Sequence, residues 1–184
     1  MTNNVYFVRL LTFGLMLWGA WATPTVWAEP NAITGFTEIK SSPHYAPYDR
    51  ELFSLVVNRK NVIDGKNYFQ KSFAATFNAL LSQSDSAPSK QNLSQLKKRL
   101  LSGPAAKPQA FNENATGKKY FYYEACQAHA CDETKLGLLY ETRSKAMVAR
   151  LSVKGKEEFL GRFSESEKNL LLSLGAPAAK GKRQ

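Results

Sequence analysis

Residues 118–153 read KKYFYYEACQAHACDETKLGLLYETRSKAMVARLSV. The opening KKYFYYEA (118–125) is dense in aromatic residues, which favour the pleated, half-buried surface of a strand. TKLGLLYET (134–142) reads as its partner. In residues 145–153, Met147, Ala149, Leu151 and Val153 alternate with Arg150 and Ser152, the period-two pattern of a strand buried on one face. EEFLGRF (157–163) supplies one further strand. The two cysteines, Cys126 and Cys131, lie between the first two strands and enclose one of the chain's two histidines, His129.

Outward from this region the period changes. Upstream, Asp64 precedes GKNYFQKSFAATFNALLS, in which Phe69, Phe73, Phe77, Leu80 and Leu81 recur at helical spacing and form a core-facing stripe. Leu93, Leu96 and Leu100 predict a second, shorter amphipathic helix that ends near Gly103 and Pro104. GPAAKPQAFNENATG (103–117) reads as a loop. LFSLVV (52–57) is apolar but too short for periodicity to separate strand from helical turn. Downstream, Ser164 and Glu167 form a capping-box pattern ahead of Leu170, Leu171, Leu172 and Leu174, which predicts a closing helix. Helices first, an antiparallel meander next and a helix last describe an α+β domain, with the sheet packed against flanking helices and a disulfide-closed hairpin loop between its first two strands.

The compartment follows from the N-terminus. Arg9 precedes an uncharged apolar run at residues 10–22, then a short Pro24-containing break and Val26-Trp27-Ala28, the layout of a secretory signal peptide cleaved after Ala28. The run is too short to span a bilayer comfortably, and no later stretch approaches spanning length. The expected organisation is a signal peptide (1–28), an irregular N-terminal segment (29–60), one folded domain (61–175) and a basic tail (176–184). Loss of Arg9 with the leader takes the formal charge from +10 to +9. For an exported protein such a balance points to an anionic envelope surface or to solubility, and nucleic acid is the least expected partner.

Export also decides the cysteines, since oxidising compartments sustain disulfides. Two cysteines allow one intramolecular pairing, Cys126 with Cys131. So small a ring contributes only about 2 kcal/mol through the unfolded chain. Its greater effect is to stiffen Gln127, Ala128, His129 and Ala130, lowering the ordering cost when they meet a partner. Oxidised cysteines do not ligate metal, and no fourth ligand has a recognisable spacing, so no metal or cofactor is expected. The Cys-x-x-Cys spacing of redox centres is absent, as is any nucleophile-and-base pattern that would mark an enzyme. Spacing alone leaves two readings of His129 open, a rigidly presented polar contact or an ordinary turn residue. The charges around it in sequence, Glu124, Asp132 and Glu133, are all acidic.

The run KKYFYYEACQAHACDETKLGLLYETRSKAMVARL, followed by EEFLGRFSESEKNLLLSL, resembles the inhibitor of vertebrate lysozyme (Ivy) family. That family carries a short disulfide-closed loop, typically Cys-Lys-Pro-His-Asp-Cys, between two strands and a later segment like KSKAMVARL. The resemblance covers about residues 116–174, with the aromatic helix from Gly65 as a weaker extension. It implies a periplasmic, non-enzymatic protein whose loop, here Cys126, Gln127, Ala128, His129, Ala130 and Cys131, enters the active-site cleft of a lysozyme. The partner it implies is a lysozyme; the alternatives are control of endogenous lytic transglycosylases, which have related cleft chemistry, and a non-inhibitory envelope-binding protein. Self-association is left open. Three positions depart from the family loop: Gln127 stands for lysine, Ala128 for proline and Ala130 for aspartate.

Overall fold

In the computed structural model, which describes residues 33–39 and 47–175, six strands pair antiparallel in the order in which the chain makes them. Strand β1 (Phe36–Ile39) is followed by helices α1 (Leu52–Val56), α2 (Lys71–Leu81) and α3 (Lys90–Leu100). Then come β2 (Gln109–Glu113), β3 (Lys119–Cys126), β4 (Thr134–Glu141), β5 (Met147–Val153), β6 (Lys156–Leu160) and helix α4 (Glu165–Leu174). The described residues fall in one compact unit that begins at Ile33. The leader and the basic tail expected from the sequence lie outside the described residues, as does His44.

Both faces of the sheet are covered. Phe73, Phe77, Leu81, Leu96 and Leu100 of α2 and α3 pack on Phe121, Tyr123, Leu136, Leu138, Ala149 and Leu151. On the opposite face Leu170 and Leu171 of α4 meet Tyr120, Tyr122, Leu139 and Val148. This double burial explains why the FYY of β3 is a continuous apolar run where a one-sided strand would alternate. The inner aromatic residues interlock, with Phe73 and Tyr140 centroids 4.8 Å apart and Tyr123 donating its hydroxyl to the Tyr48 carbonyl at 2.7 Å. Helix α4 begins with the capping box expected from Ser164 and Glu167.

The structure departs from the sequence reading in four places. Residues 109–113, read as loop, form β2: only Ala110 and Phe111 are apolar there, too short a signal, and the strand is held by β1 and β3 on its two sides. The segment 29–60, read as irregular, contains β1, and the stretch 52–57, left open between strand and helical turn, forms α1. Strand β1 has four residues, of which only Phe36 is buried, and it depends on the ladder to β2 for its form. The aromatic helix begins at Lys71, well after Asp64, because backbone groups ahead of it bond elsewhere: Asn61 N to Lys66 O and Gln70 N to Leu55 O. Phe69, ahead of the helix, still packs against the same core. Helix α3 is as long as α2, at 11 residues each, because Ser89 caps it by accepting from the Asn92 N–H.

Two buried carboxylates hold the strand ends. Glu113 accepts from Ser166 Oγ at 2.6 Å and from the Thr116 hydroxyl, linking β2 to α4. Glu141 accepts from the backbone N–H groups of Arg143 (2.8 Å) and Ser144 (2.6 Å) in the β4–β5 turn. Burial acts to raise both pKa values, but the hydrogen bonds and the Lys118 charge outweigh it and hold both below the ordinary 4.5. Because folding lowers them, their contribution to stability is present above the ordinary carboxyl range and is lost as pH falls through the folded values. Urea unfolding should therefore show stability falling as pH drops below 4.5, and the double variant Glu113→Gln/Glu141→Gln should flatten that dependence. Parallel pH profiles for the two proteins would contradict this assignment.

Candidate functional site

Strands β3 and β4 stay paired up to Cys126 opposite Lys135, and the chain then turns through residues 127–133. Gln127 N extends the ladder by one bond to Thr134 O at 3.0 Å. Ala130 N donates back to Gln127 O at 3.1 Å, so Ala128 and His129 form the apex of a tight turn. The N–H groups of Glu133 (3.1 Å) and Thr134 (3.0 Å) both donate to Ala130 O. Across this turn Cys126 and Cys131 are joined by a disulfide, as expected from the sequence. Lys154 N, in the β5–β6 turn, donates to Glu133 O at 2.6 Å and fixes the base from the side.

His129 sits at φ 61°, in the left-handed region that favours glycine. Lys145 and Lys154 share that conformation in the neighbouring turns, so it is a property of turns in this sheet. What separates His129 is its company. It is exposed, no described residue hydrogen-bonds its imidazole, and the backbone on either side is covalently and hydrogen-bond constrained. With both sulfurs committed to each other, it has no thiolate neighbour with which to share a metal.

The segment after α3 supplies support that the sequence reading missed. Ser102 Oγ donates to Arg99 O at 2.7 Å and accepts from Ala128 N at 3.0 Å, so one hydroxyl bridges the end of α3 to the turn. Its neighbour Gly103 donates its N–H to Cys126 O at 2.9 Å. That approach requires glycine: a Cβ at position 103 would lie 2.4 Å from Cys126 O and 3.0 Å from its sulfur. In sequence, Gly103 and Pro104 signal only the end of a helix. The place of Gly103 against the cystine arises from a tertiary contact that local pattern does not carry.

The electrostatic surroundings differ from the expectation of uniform acidity. On the α3 side, Lys98 and Arg99 line an open concavity together with Gln127 and Ala128. On the opposite side Cys131 and Asp132 border a second concavity of about 380 Å³ floored by Tyr122 and Gly137. There Tyr122 donates its hydroxyl to Glu124 Oε1 at 3.0 Å, and Lys135 Nζ lies 3.0 Å from the same carboxylate. Burial first, and the Glu124 charge second, push the Tyr122 pKa far up, so it remains a donor. Glu124 is thus engaged, while Asp132 and Glu133 remain exposed. The turn stands between a basic flank and one on which Asp132 and Glu157 are balanced by Lys135 and Arg150. The basic flank comes from α3, about thirty residues upstream in the chain, and its proximity is invisible to a local charge count.

No family model matches the chain, and neither curated proteins nor solved structures give a significant match. Among the described residues no helix is long and apolar enough to cross a membrane, and no three histidine, cysteine, aspartate or glutamate side chains cluster to hold a metal.

Gly103→Ala should force the α3–β2 segment off the cystine. The expected cost is about 1–3 kcal/mol, as for other overpacked contacts. Exchange of the Gly103 and Ala128 amide protons should accelerate more than that of β4. Unchanged exchange at both positions would show that the segment does not brace the turn.

Proposed function

We propose that the protein is an exported, Ivy-like inhibitor of lysozyme that seats residues 126–131 in the glycosidase cleft. The observation that carries this reading is the unpartnered imidazole of His129 at the apex of a turn restrained by a disulfide, Ser102, Gly103 and Lys154. Such restraint lowers the entropy lost when the turn meets a partner.

The chemistry is complementary. Lysozymes work with two carboxyl groups held in different states, a protonated glutamic acid and an ionised aspartate. A neutral imidazole donates from one ring nitrogen and accepts at the other, so it satisfies both states at once. It offers no glycosidic bond to cleave. On this reading the protein has no catalytic residue of its own and needs no cofactor.

Ala130 removes the carboxylate that the family loop carries beside its histidine. Loss of one charge-assisted hydrogen bond costs about 1.5–3 kcal/mol, or roughly tenfold to a hundredfold in affinity. Asp132 and Glu133 are the exposed carboxylates that remain near the turn, whereas Glu124 is held by Lys135 and Tyr122. An altered polar complement also suits a lytic transglycosylase, whose cleft uses related carboxyl chemistry, as the alternative target.

In a cell-wall clearing assay with residues 29–184, His129→Ala should weaken inhibition at least about tenfold, the effect of removing a central buried contact. Full inhibition by the variant would contradict the reading. Inhibition of a lytic transglycosylase with none of any lysozyme type would keep the mechanism and change the target.

A further inference from the structure

Val62 and Ile63 are 84% and 89% exposed, far above the next large hydrophobic side chains among the described residues, Phe163 at 36% and Leu172 at 39%. Single exposed aliphatic residues are ordinary. Two adjacent ones, both almost wholly in solvent, are not explained by chance fraying here, because the loop that presents them is tightly built. Lys60 and Asn67 pair across its neck. Asn61 N donates to Lys66 O at 2.8 Å, and Gly65 N donates to Asn61 O at 2.9 Å. Asn61 Oδ1 accepts from Ile63 N at 2.7 Å, which turns the backbone so that both side chains project outward. Gly65 takes φ 69° to close the loop. At the base, the Arg59 guanidinium lies 5.4 Å from the Phe53 ring centroid and that of Arg50 lies 4.3 Å from the Tyr68 centroid.

Cations outnumber carboxylates around this apolar tip. Residues 59–66 contain Arg59, Lys60 and Lys66 against one carboxylate, Asp64. Asp64 stays ionised, accepting from the Tyr68 hydroxyl and from Lys66 N. Glu51 borders the same concavity as Val62 and Ile63, but Arg50 adds a fourth cation beside Tyr68, so the balance remains positive. We propose that the 60–67 loop docks on a bilayer surface rich in anionic lipid. Val62 and Ile63 enter the boundary between headgroups and acyl chains, and Arg59, Lys60 and Lys66 lie over the lipid phosphates.

Size and charge both favour a bilayer over a protein as the occupant. Two aliphatic side chains are far less than the roughly 800 Å² per partner of a stable protein interface. A shallow apolar insertion with basic residues at its rim is sufficient for reversible attachment to an anionic surface, each added cation strengthening it. The formal charge of +9 that remains after loss of Arg9 from the +10 of the whole chain adds long-range attraction of the same sign. Attachment through this loop is independent of lysozyme inhibition. It gives the protein a place at a membrane face whatever the target of His129.

The test is co-sedimentation of residues 29–184, which retain the whole compact unit from Ile33, with phosphatidylglycerol-containing vesicles and with purely phosphatidylcholine vesicles. The native protein should bind the anionic vesicles and release them at about 1 M salt, where screening is nearly complete. Lys60→Gln/Lys66→Gln should bind them about thirtyfold more weakly. Val62→Ser/Ile63→Ser, with an unchanged unfolding temperature, should lose at least about tenfold. Failure of the native protein to bind anionic vesicles overturns the proposal. Equal binding by the serine variant also overturns it, by assigning attachment to charge elsewhere. Concentration-dependent self-association that the serine variant abolishes, without vesicle binding, assigns the tip to a second copy of the chain and likewise overturns it.

Discussion

Everything else in this molecule depends on the pairing of β3 with β4 under cover on both faces. The ladder runs without interruption from Tyr120 opposite Glu141 to Cys126 opposite Lys135. Packing of Phe121 and Tyr123 alone would leave one face wet, but here those two meet the α2 side while Tyr120 and Tyr122 meet the α4 side. A register slip of one residue would exchange those two sets and expose neither to water, so the aromatic shapes and the hydroxyl partners must fix the register. Across the ladder Tyr122 fills the space left by Gly137 of β4 and Glu124 pairs with Lys135 at 3.0 Å, while Tyr123 ties β3 to Tyr48. The turn that carries His129 inherits its position from this ladder.

The strands and the closing helix were legible where the pattern was local. Aromatic density marked β3, alternation marked β5, and Ser164 with Glu167 marked the start of α4. The parts that escaped are those whose form is imposed by neighbours. Strand β2 offers only Ala110 and Phe111 as apolar residues, and β1 buries only Phe36, so neither carries enough hydrophobic signal to stand apart from a loop. The start of α2 escaped because Phe69 continues the helical spacing while its backbone is spent on contacts with the preceding loop. The disulfide pairing was legible from the count of two cysteines and the export expected of the N-terminus, whereas the bracing by Ser102 and Gly103 was not, since it joins segments more than twenty residues apart through side-chain and backbone groups with no sequence period.

The turn and the 60–67 loop illustrate two uses of the same device. Each takes a short segment out of the core, fixes its backbone with hydrogen bonds or a covalent link, and leaves side chains in water with no internal partner. At residues 126–131 the side chain left free is an imidazole, suited to carboxyl groups in either protonation state. At residues 60–67 it is a pair of aliphatic groups within a cationic rim, suited to an interface that is apolar beneath and anionic above. A structure that needed only stability would bury Val62 and Ile63. The ordinary stabilising work is done by the two cores, and surface pairs such as Lys135 with Glu124 add little to it.

The central claim is that residues 126–131 fill a catalytic cleft, and competition tests it most directly. Binding of the protein to an immobilised lysozyme would be measured while an N-acetylglucosamine oligomer is titrated into the same cleft. Occupancy of the cleft by His129 predicts mutual exclusion, with the apparent dissociation constant rising in proportion to oligomer concentration. Simultaneous binding of both, with an unchanged dissociation constant, would contradict it.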